Sequence, residues 1–251
     1  QTERQVRAHA IFHSCLCRRQ CMGIDMYRQN SSAEITMRET RREFNYNNTI
    51  VLTLSISRPE VKLEQNPQAQ ARINRRYSEE ANAFYRMVST TLYRQAVQFY
   101  HDSIKNNFPF RPYDAVMNYE VTLNEACYLS SYYDRYQYTG GAHGSTIRAS
   151  DTFSLKTGQR LPLSYFFRPG FNYRGFLLGQ IIKQADRNMQ QEPIYFENYR
   201  ELIVHNFNPS SYFLSPEGIN IYYQQYDIAP YSSGIIVFTI PYASIGWRPS
   251  C

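Results

Sequence analysis

Residues 67–107 read PQAQARINRRYSEEANAFYRMVSTTLYRQAVQFYHDSIKNN, and this stretch decides the fold. Asn66 can cap free backbone N–H groups just ahead of Pro67, and proline is tolerated at the first helical position. Apolar residues then recur every three or four positions, as on one face of an amphipathic helix. They are Ile73, Tyr77, Ala81, Phe84, Val88, Leu92, Ala96 and Phe99. The pattern predicts one helix over residues 67–107, whose apolar stripe needs a sheet to pack against.

Alternating apolar and polar residues predict a strand before this helix. Positions 50, 52, 54 and 56 carry isoleucine or leucine, and the residues between them fall on the other face of the same strand. We expect this strand to end before Pro59.

The sequence after the helix predicts a hairpin and further strands. Residues 116–138 form two strand patterns that turn near Asn124 and Glu125, and the turn over residues 139–144 leads into a strand through Phe153. Three more strands are expected over residues 212–215, 219–226 and 235–240.

Two shorter helical patterns lie in the C-terminal half. One covers residues 172–188 and the other covers residues 197–204. The apolar face of the first is formed by Phe176, Ile181 or Ile182, and Ala185. The order of elements predicts an α+β fold, with largely antiparallel sheets packed with one long and one shorter helix.

The composition is that of a folded globular protein, with 43% hydrophobic and 19% charged residues among 251. We expect three stretches along the chain. Residues 1–30 form an N-terminal segment of uncertain structure, residues 31–145 form a half that holds the long helix, and residues 146–251 form a second half. The two halves are expected to pack as one unit.

The net charge is +6, from 27 Lys and Arg against 21 Asp and Glu. Basic surfaces attract nucleic acid, anionic lipid or acidic wall polymers, but these charges are dispersed apart from short arginine clusters. No zinc-finger spacing, aromatic RNA-binding motif or long basic run occurs, which excludes a nucleic-acid reader. No run of 18 apolar residues is present, so the sequence predicts no membrane-spanning helix.

The cysteines raise the question of a metal site. The five are Cys15, Cys17, Cys21, Cys127 and Cys251. The first three follow His9 and His13, but their Cys-x-Cys-x-x-x-Cys spacing matches no known structural zinc site. Incidental thiols in a terminal segment are therefore favoured, and no metal or cofactor is predicted. Cys127 lies in a strand pattern and is predicted to be a small buried hydrophobic residue. The pairing of the cysteines stays open.

Two loops carry the candidate binding residues. The first reads YDIAPYSSG over residues 226–234 and lies between two predicted strands, where a rigid sheet fixes the position of a binding loop. Its candidates are Tyr226, Asp227, Pro230 and Tyr231. The Asp227 carboxylate could bind sugar hydroxyls or a basic protein, or it could equally bond to nearby backbone in a turn.

The second loop reads TGGAHG over residues 139–144. Gly140, Gly141 and Gly144 are predicted to form a structural turn, in which Gly140 or Gly141 needs a positive φ. His143 in this open turn could act as a base, bind a ligand, or donate a structural hydrogen bond to a backbone carbonyl. Neither a Gly-x-Ser-x-Gly nor a His-Glu-x-x-His motif occurs, so a structural or binding role is favoured over catalysis.

Three segments together resemble a family of bacterial extracytoplasmic domains. They are YTGGAHG over residues 138–144, DTFSLKTG over residues 151–158, and the YDIAPYSSG loop followed by Ile240 and Pro241. The family includes the outer part of the anti-sigma factor RsiV and the N-terminal, non-catalytic part of the peptidoglycan deacetylase PdaC. The resemblance covers roughly residues 40–245.

This resemblance implies a non-catalytic binding or sensor domain outside the cell or at the cell surface of a Gram-positive type bacterium. In the anti-sigma branch of the family the domain binds lysozyme, through a surface that includes a loop equivalent to the one around Ala229 and Pro230. The implied partner is a lysozyme-like protein or a peptidoglycan fragment, and not a nucleic acid. A membrane anchor could lie outside the given residues.

A cell-wall-modifying hydrolase is the alternative function. Glycosidases use two carboxylates that meet in space and need no fixed spacing along the chain. Glu120, Asp134 and Asp151 lie on predicted strands or at their ends and could meet. A deep cleft with two converging carboxylates would favour the hydrolase, whereas a shallow tyrosine-rich face would favour binding.

Overall fold

The computed structural model describes residues 32–251. The predicted N-terminal segment over residues 1–30 and its group of cysteines and histidines lie outside the described residues. The described part contains a five-stranded sheet and a three-stranded sheet, together with one long and several shorter helices. The predicted α+β class is confirmed.

The five-stranded sheet forms the centre of the molecule. Its strands are β1 (Glu34–Tyr46), β2 (Thr49–Lys62), β3 (Tyr113–Glu125), β4 (Tyr128–Tyr138) and β5 (Ser145–Ser154). They lie side by side in sequence order, and only β2 and β3 run parallel. The parallel pair requires a crossover connection, which the long helix supplies.

The first predicted strand continues through Pro59 to Lys62, so the expectation that it ends before Pro59 is wrong. The pairing of β2 with β3 ends at Ser57. Beyond Ser57 one side of β2 is an open edge, and proline is tolerated on such an edge because no neighbouring strand needs its N–H.

The β3–β4 hairpin turns at Ala126 and Cys127, two residues later than predicted. Both residues have positive φ, 50° and 68°. Asn124 does not form the turn because its side-chain amide is bonded to the backbone of Ala33. The amide oxygen accepts from the Ala33 nitrogen at 2.8 Å, and the amide nitrogen donates to the Ala33 carbonyl at 2.8 Å.

The predicted long helix is confirmed as three consecutive segments, α1 (Pro67–Met87), a π-helical turn (Val88–Leu92) and α2 (Tyr93–Asn106). The Asn66 side chain caps the start by accepting from the Ala69 nitrogen at 3.1 Å. The Thr90 hydroxyl donates to the Arg86 carbonyl at 2.7 Å, and such a bond competes with regular helical pairing at the π-helical turn. The helix ends where Asn107 adopts a left-handed conformation.

The apolar stripe of this helix packs on one face of the large sheet. Ile73, Tyr77, Phe84, Val88 and Leu92 are all buried against strand residues such as those at positions 52, 54, 115 and 117. This helix face of the sheet is a mainly apolar core.

The three-stranded sheet and the remaining helices form a second layer. The strands are β6 (Tyr212–Ser215), β7 (Gly218–Tyr223) and β8 (Ile236–Pro241), all antiparallel, and the helices are α3 (Tyr173–Gln191), α4 (Tyr199–His205) and α5 (Tyr242–Ile245). The predicted strands and helices of this half are therefore present, with ends shifted by a few residues. In α3, Leu177 takes the buried place expected of Phe176, beside Ile181 and Ala185. The division of the chain after residue 145 stays a prediction.

The second layer packs on the face of the large sheet opposite the long helix. Ser131 contacts Tyr77 of the helix through a 3.0 Å hydrogen bond, whereas the adjacent Ser130 points to the other face, as alternation along a strand requires. The Ser130 hydroxyl accepts from the Leu214 nitrogen of β6 at 2.8 Å. Polar bonds of this kind fix the second sheet on the first.

A disulfide joins Cys127 to Cys251 and ties the end of the chain to the β3–β4 turn. Cys127 is buried, as predicted, but it lies in a turn and not in a strand, and its sulfur is bonded to another cysteine. The interpretation of Cys127 as a simple hydrophobic residue is therefore wrong.

Candidate binding site

The glycine turn after β4 has the backbone that the sequence predicts. Gly140 and Gly141 both have φ of 88°, which strains any residue with a side chain. At Gly144 a Cβ atom would lie 2.4 Å from the Tyr136 ring, so this position is closed to larger residues. The Tyr138 hydroxyl donates to the Gly141 carbonyl at 3.1 Å and holds the turn against the end of β4.

The loop after β7 begins with a tight turn built by Asp227. The Asp227 carboxylate accepts a hydrogen bond from the Gln224 backbone nitrogen at 2.7 Å. The backbone N–H of Asp227 donates to the Gln224 carbonyl at 3.1 Å. Tyr226 inside this turn has φ of 68° and is 57% exposed. Positive φ in a bulky residue is a genuine outlier, and such strain persists only where the surrounding structure fixes it. The loop therefore presents the Tyr226 ring to solvent.

The two predicted loops meet through their rings. The imidazole of His143 stacks on the ring of Tyr231, with centroids 3.8 Å apart and planes 18° apart. The Tyr226 ring lies 5.9 Å from the Tyr231 ring. His143, Tyr226 and Tyr231 form what we call the His–Tyr cluster. In the sequence, 88 positions separate His143 from Tyr231.

The tautomer of the neutral His143 ring follows from its hydrogen bond. Nδ1 lies 3.0 Å from the Gly144 carbonyl oxygen, and because a carbonyl can only accept, Nδ1 must donate. In the neutral ring Nε2 is then a hydrogen-bond acceptor, and in the charged ring it is a donor. His143 thus has both the structural bond that the sequence left open and an exposed edge suited to a ligand.

The Tyr226 loop is fixed on the free edge of β5 by two glutamines that the sequence did not single out. The Gln225 side chain accepts from the Thr146 nitrogen at 2.9 Å. The Gln224 side chain accepts from the Arg148 nitrogen at 2.9 Å and donates to the Arg148 carbonyl at 2.7 Å. These amides imitate a neighbouring strand, so they protect the sheet edge and position the loop together.

Asp227 and Pro230 contribute to the loop in different ways. The Asp227 carboxylate is bonded within the turn, which is the structural alternative that the sequence left open. Burial raises the pKa of Asp227, while the hydrogen bond from the Gln224 nitrogen acts in the opposite direction. Pro230 is exposed and precedes the short helical turn that begins at Tyr231. Ile228 and Ala229 between them are buried and anchor the loop.

The three carboxylates of the hydrolase alternative do not converge. Asp151 is buried on the helix face of the large sheet, where Arg76 and Arg160 pair with it. Asp134 pairs in register with Arg148, three positions before Asp151, and therefore points to the opposite face. Two hydrogen bonds of 2.8 and 2.7 Å tie Asp134 to that arginine.

Glu120 lies in register with Tyr132 of β4, on the face of Asp134. It is exposed and so lies apart from the buried Asp151. Within residues 32–251 no group of three or more His, Cys, Asp or Glu side chains is placed to hold a metal ion. In the same range no helix combines the length and apolar character needed to cross a membrane.

Comparison with known proteins identifies two consecutive segments. The model of the family described as deacetylase PdaC matches residues 46–146, and the model of a protein family of unknown function, DUF3298, matches residues 164–243. The first match includes the glycine turn with His143, and the second includes Tyr226 and Tyr231. The cluster thus joins the two segments.

Solved structures share the fold. A DUF3298 family member from Bacteroides fragilis is 16% identical with a TM-score of 0.67, and the alignment covers 88% of this chain and 95% of that one. A DUF3298 family protein from Pseudomonas aeruginosa is 16% identical with a TM-score of 0.55, over 86% of this chain and 93% of that one. No curated protein matches the chain by sequence. The two family matches confirm the resemblance drawn from the motifs: one segment of the chain is similar to the PdaC family, and the segment that follows it is similar to DUF3298, a family of unknown function.

Proposed function

We propose that this protein is a non-catalytic binding or sensor domain whose ligand contacts the His–Tyr cluster. The observation that carries the proposal is the 3.8 Å stack of His143 on Tyr231, which unites the two family segments at one exposed place. Tyrosine and histidine rings offer flat apolar faces with polar edges, a combination that suits recognition of proteins and of sugars.

The partner is a lysozyme-like protein or a peptidoglycan fragment. The support for this partner is the similarity of the chain to the PdaC and DUF3298 families, together with the position of the exposed Tyr226 beside Tyr231. The large sheet separates Asp151 from Asp134 and Glu120, and Asp134 is held in two hydrogen bonds by Arg148, which favours binding over catalysis.

The location is outside the cell or at the cell surface. The Cys127–Cys251 disulfide supports this location, because disulfides persist in oxidising compartments and are rare in a reducing cytosol. A domain placed there would meet lysozymes and wall fragments directly.

The substitution Tyr231→Ala tests the proposed site. It removes the ring that links His143 to Tyr226, and aromatic residues at binding hot spots commonly cost about 2 kcal/mol or more on truncation. We expect affinity for a lysozyme or for soluble peptidoglycan fragments, measured by calorimetry, to fall by at least about tenfold. The melting temperature should stay nearly unchanged, since Tyr231 is outside the two hydrophobic cores.

The matched control is Tyr85→Ala, which removes a partly exposed tyrosine from the long helix, remote in sequence from both loops. Its affinity should equal that of the unmodified protein. A lowered melting temperature with unchanged affinity in Tyr231→Ala would show that the loop is only a rigid corner of the sheet.

A further inference from the structure

A second exposed aromatic residue is held by a tight turn far from the His–Tyr cluster in the sequence. The turn reads Arg168-Pro169-Gly170-Phe171, and the Phe171 nitrogen donates to the Arg168 carbonyl at 3.0 Å. Gly170 has φ of 78°, and proline followed by a glycine with positive φ is the signature of a type II turn. The turn holds Phe171 with 47% of its surface exposed.

The exposed ring of Phe171 rests on other aromatic rings. Phe167 lies nearly parallel to it, with planes 10° apart and centroids 6.0 Å apart, and Phe176 of α3 lies 5.7 Å away. Phe167 in turn stacks on Tyr173 at 5.2 Å. Phe167, Tyr173 and Phe176 all pack against the second hydrophobic core. A single exposed phenylalanine is ordinary on a protein surface, but this one is held by the turn and by two neighbouring rings with about half of its surface exposed.

The charged residues in the segment of sequence around this turn have one sign. Residues 152–185 contain five Lys or Arg and no Asp or Glu. Arg168 and Arg174 are exposed, and neither is in an ion pair with any residue that the structure describes. Helix α4 has Glu201 in its first turn and His205 in its last turn. Arg174 contacts this last turn, because its guanidinium lies 3.5 Å from the Val204 carbonyl oxygen.

Val204 adds a second exposed apolar side chain beside Arg174, with 43% of its surface exposed. We propose that Arg168, Phe171, Arg174 and Val204, here called the turn patch, bind the surface of an anionic lipid bilayer. Aromatic and aliphatic side chains enter the boundary between headgroups and acyl chains, and neighbouring arginines contact the lipid phosphates. The contact is peripheral and needs no spanning segment.

The lipid surface is favoured over a protein partner by the arrangement of charge and apolar area. Each arginine lies beside an exposed apolar side chain, and residues 152–185 contain no acidic residue to repel the headgroups. Glu201 of α4, three positions before Val204, is an acidic side chain that the two arginines of the patch outnumber. The turn patch shares no residue with the His–Tyr cluster, so this inference goes beyond the proposed function and does not depend on it.

Co-sedimentation with vesicles tests the inference. The probe is a large unilamellar vesicle of phosphatidylcholine with one third phosphatidylglycerol, at low salt, with pure phosphatidylcholine vesicles as the comparison. Each basic residue near an anionic surface contributes about fivefold in binding, so Arg168→Gln should weaken binding about fivefold and Phe171→Ala at least as much. Arg168→Gln should keep the melting temperature of the unmodified protein, and Phe171→Ala should lower it only slightly, since about half of the Phe171 surface is exposed.

The matched control is again Tyr85→Ala, a partly exposed aromatic outside the turn patch, which should sediment like the unmodified protein. Anionic vesicles should be preferred over neutral ones by the unmodified protein and less so by Arg168→Gln. Failure of the unmodified protein to sediment with anionic vesicles would overturn the inference. Undiminished sedimentation of both turn variants would place the lipid contact elsewhere and would overturn it equally. Either result leaves lysozyme or glycan binding at the His–Tyr cluster unaffected.

Discussion

The two faces of the large sheet are packed by different chemistry. On the helix face, the long helix buries an almost continuous apolar stripe against strand residues of the same character. On the opposite face, the second layer is fixed by hydrogen bonds that involve Ser130, Ser150 and Gln224: Ser130 accepts from the Leu214 nitrogen, Ser150 bonds to the Tyr222 hydroxyl, and Gln224 donates to the Arg148 carbonyl. Hydrophobic packing is non-directional, whereas each hydrogen bond fixes a distance and an angle.

The difference shows how one of the two candidate loops is positioned. The Tyr226 loop reaches the edge of β5 through Gln224 and Gln225, whose amides replace the hydrogen bonds of a missing strand. Directional bonds to a sheet edge can place a loop ring accurately enough to stack on His143. An apolar contact alone would allow the loop to slide. The helix face therefore contributes mainly apolar packing, and the opposite face adds the directional bonds that position the loop.

The largest expected effect is on the helix face. Phe84→Ala should lower the free energy of unfolding by about 3–5 kcal/mol, because it removes a buried ring and leaves a cavity. Urea denaturation measures this loss, with Tyr85→Ala on the exposed side of the same helix as the control. A loss below about 1 kcal/mol would mean that the stripe is not the core of this half.

The polar face should respond less strongly. Ser130→Ala removes the acceptor for the Leu214 nitrogen and leaves a buried N–H without its partner, which costs about 1–3 kcal/mol. The control is Ser55→Ala on β2, a strand that lies two places away from β4 in the large sheet. If both serine variants unfold at the same urea concentration, the hydrogen bonds between the layers contribute nothing to stability and the contrast between the faces fails.

The sequence predicted the helix face well because the apolar residues of the long helix recur every three or four positions. The spacing from Ile73 to Phe99 is visible without knowledge of the rest of the fold, and the cap at Asn66 marks its start. Strand β1 was missed because most of its side chains are exposed, so it lacks an alternating apolar pattern. The β3–β4 turn was misplaced because the partner of Asn124 is Ala33, 91 residues away.

The candidate site was predicted residue by residue but not as one site. His143, Tyr226 and Tyr231 were each selected from the character of their own loops. Their contact depends on the way in which Gln224 and Gln225 attach the second loop to β5, and no local pattern reveals that pairing. Arg148 was missed for the same reason: its bonds to Asp134 follow from strand register alone.

The smallest expected effect concerns Asp227, which fixes the loop on the polar face. Burial raises the pKa of Asp227 above its ordinary value of 3.8. The folded protein therefore binds a proton on the Asp227 carboxyl group more tightly than the unfolded chain does. The stabilisation from the bound proton is present below the ordinary pKa and is lost as the pH rises through the pKa of the folded state. Asp227→Asn keeps an oxygen that can accept from the Gln224 nitrogen but cannot titrate.

Relative to Asp227→Asn, the unmodified protein should therefore lose stability as the pH rises from about 3 to about 6, by less than about 1 kcal/mol because the site is only partly buried. Thermal unfolding of both proteins across this range measures the difference, in which the remaining carboxyls cancel. A difference that is constant with pH, or one that favours the unmodified protein at the higher pH, would show that the hydrogen bond within the turn outweighs burial. The carboxylate would then stabilise the loop in its charged form, and the polar face would owe its precision to a charge as well as to the neutral amides of Gln224 and Gln225.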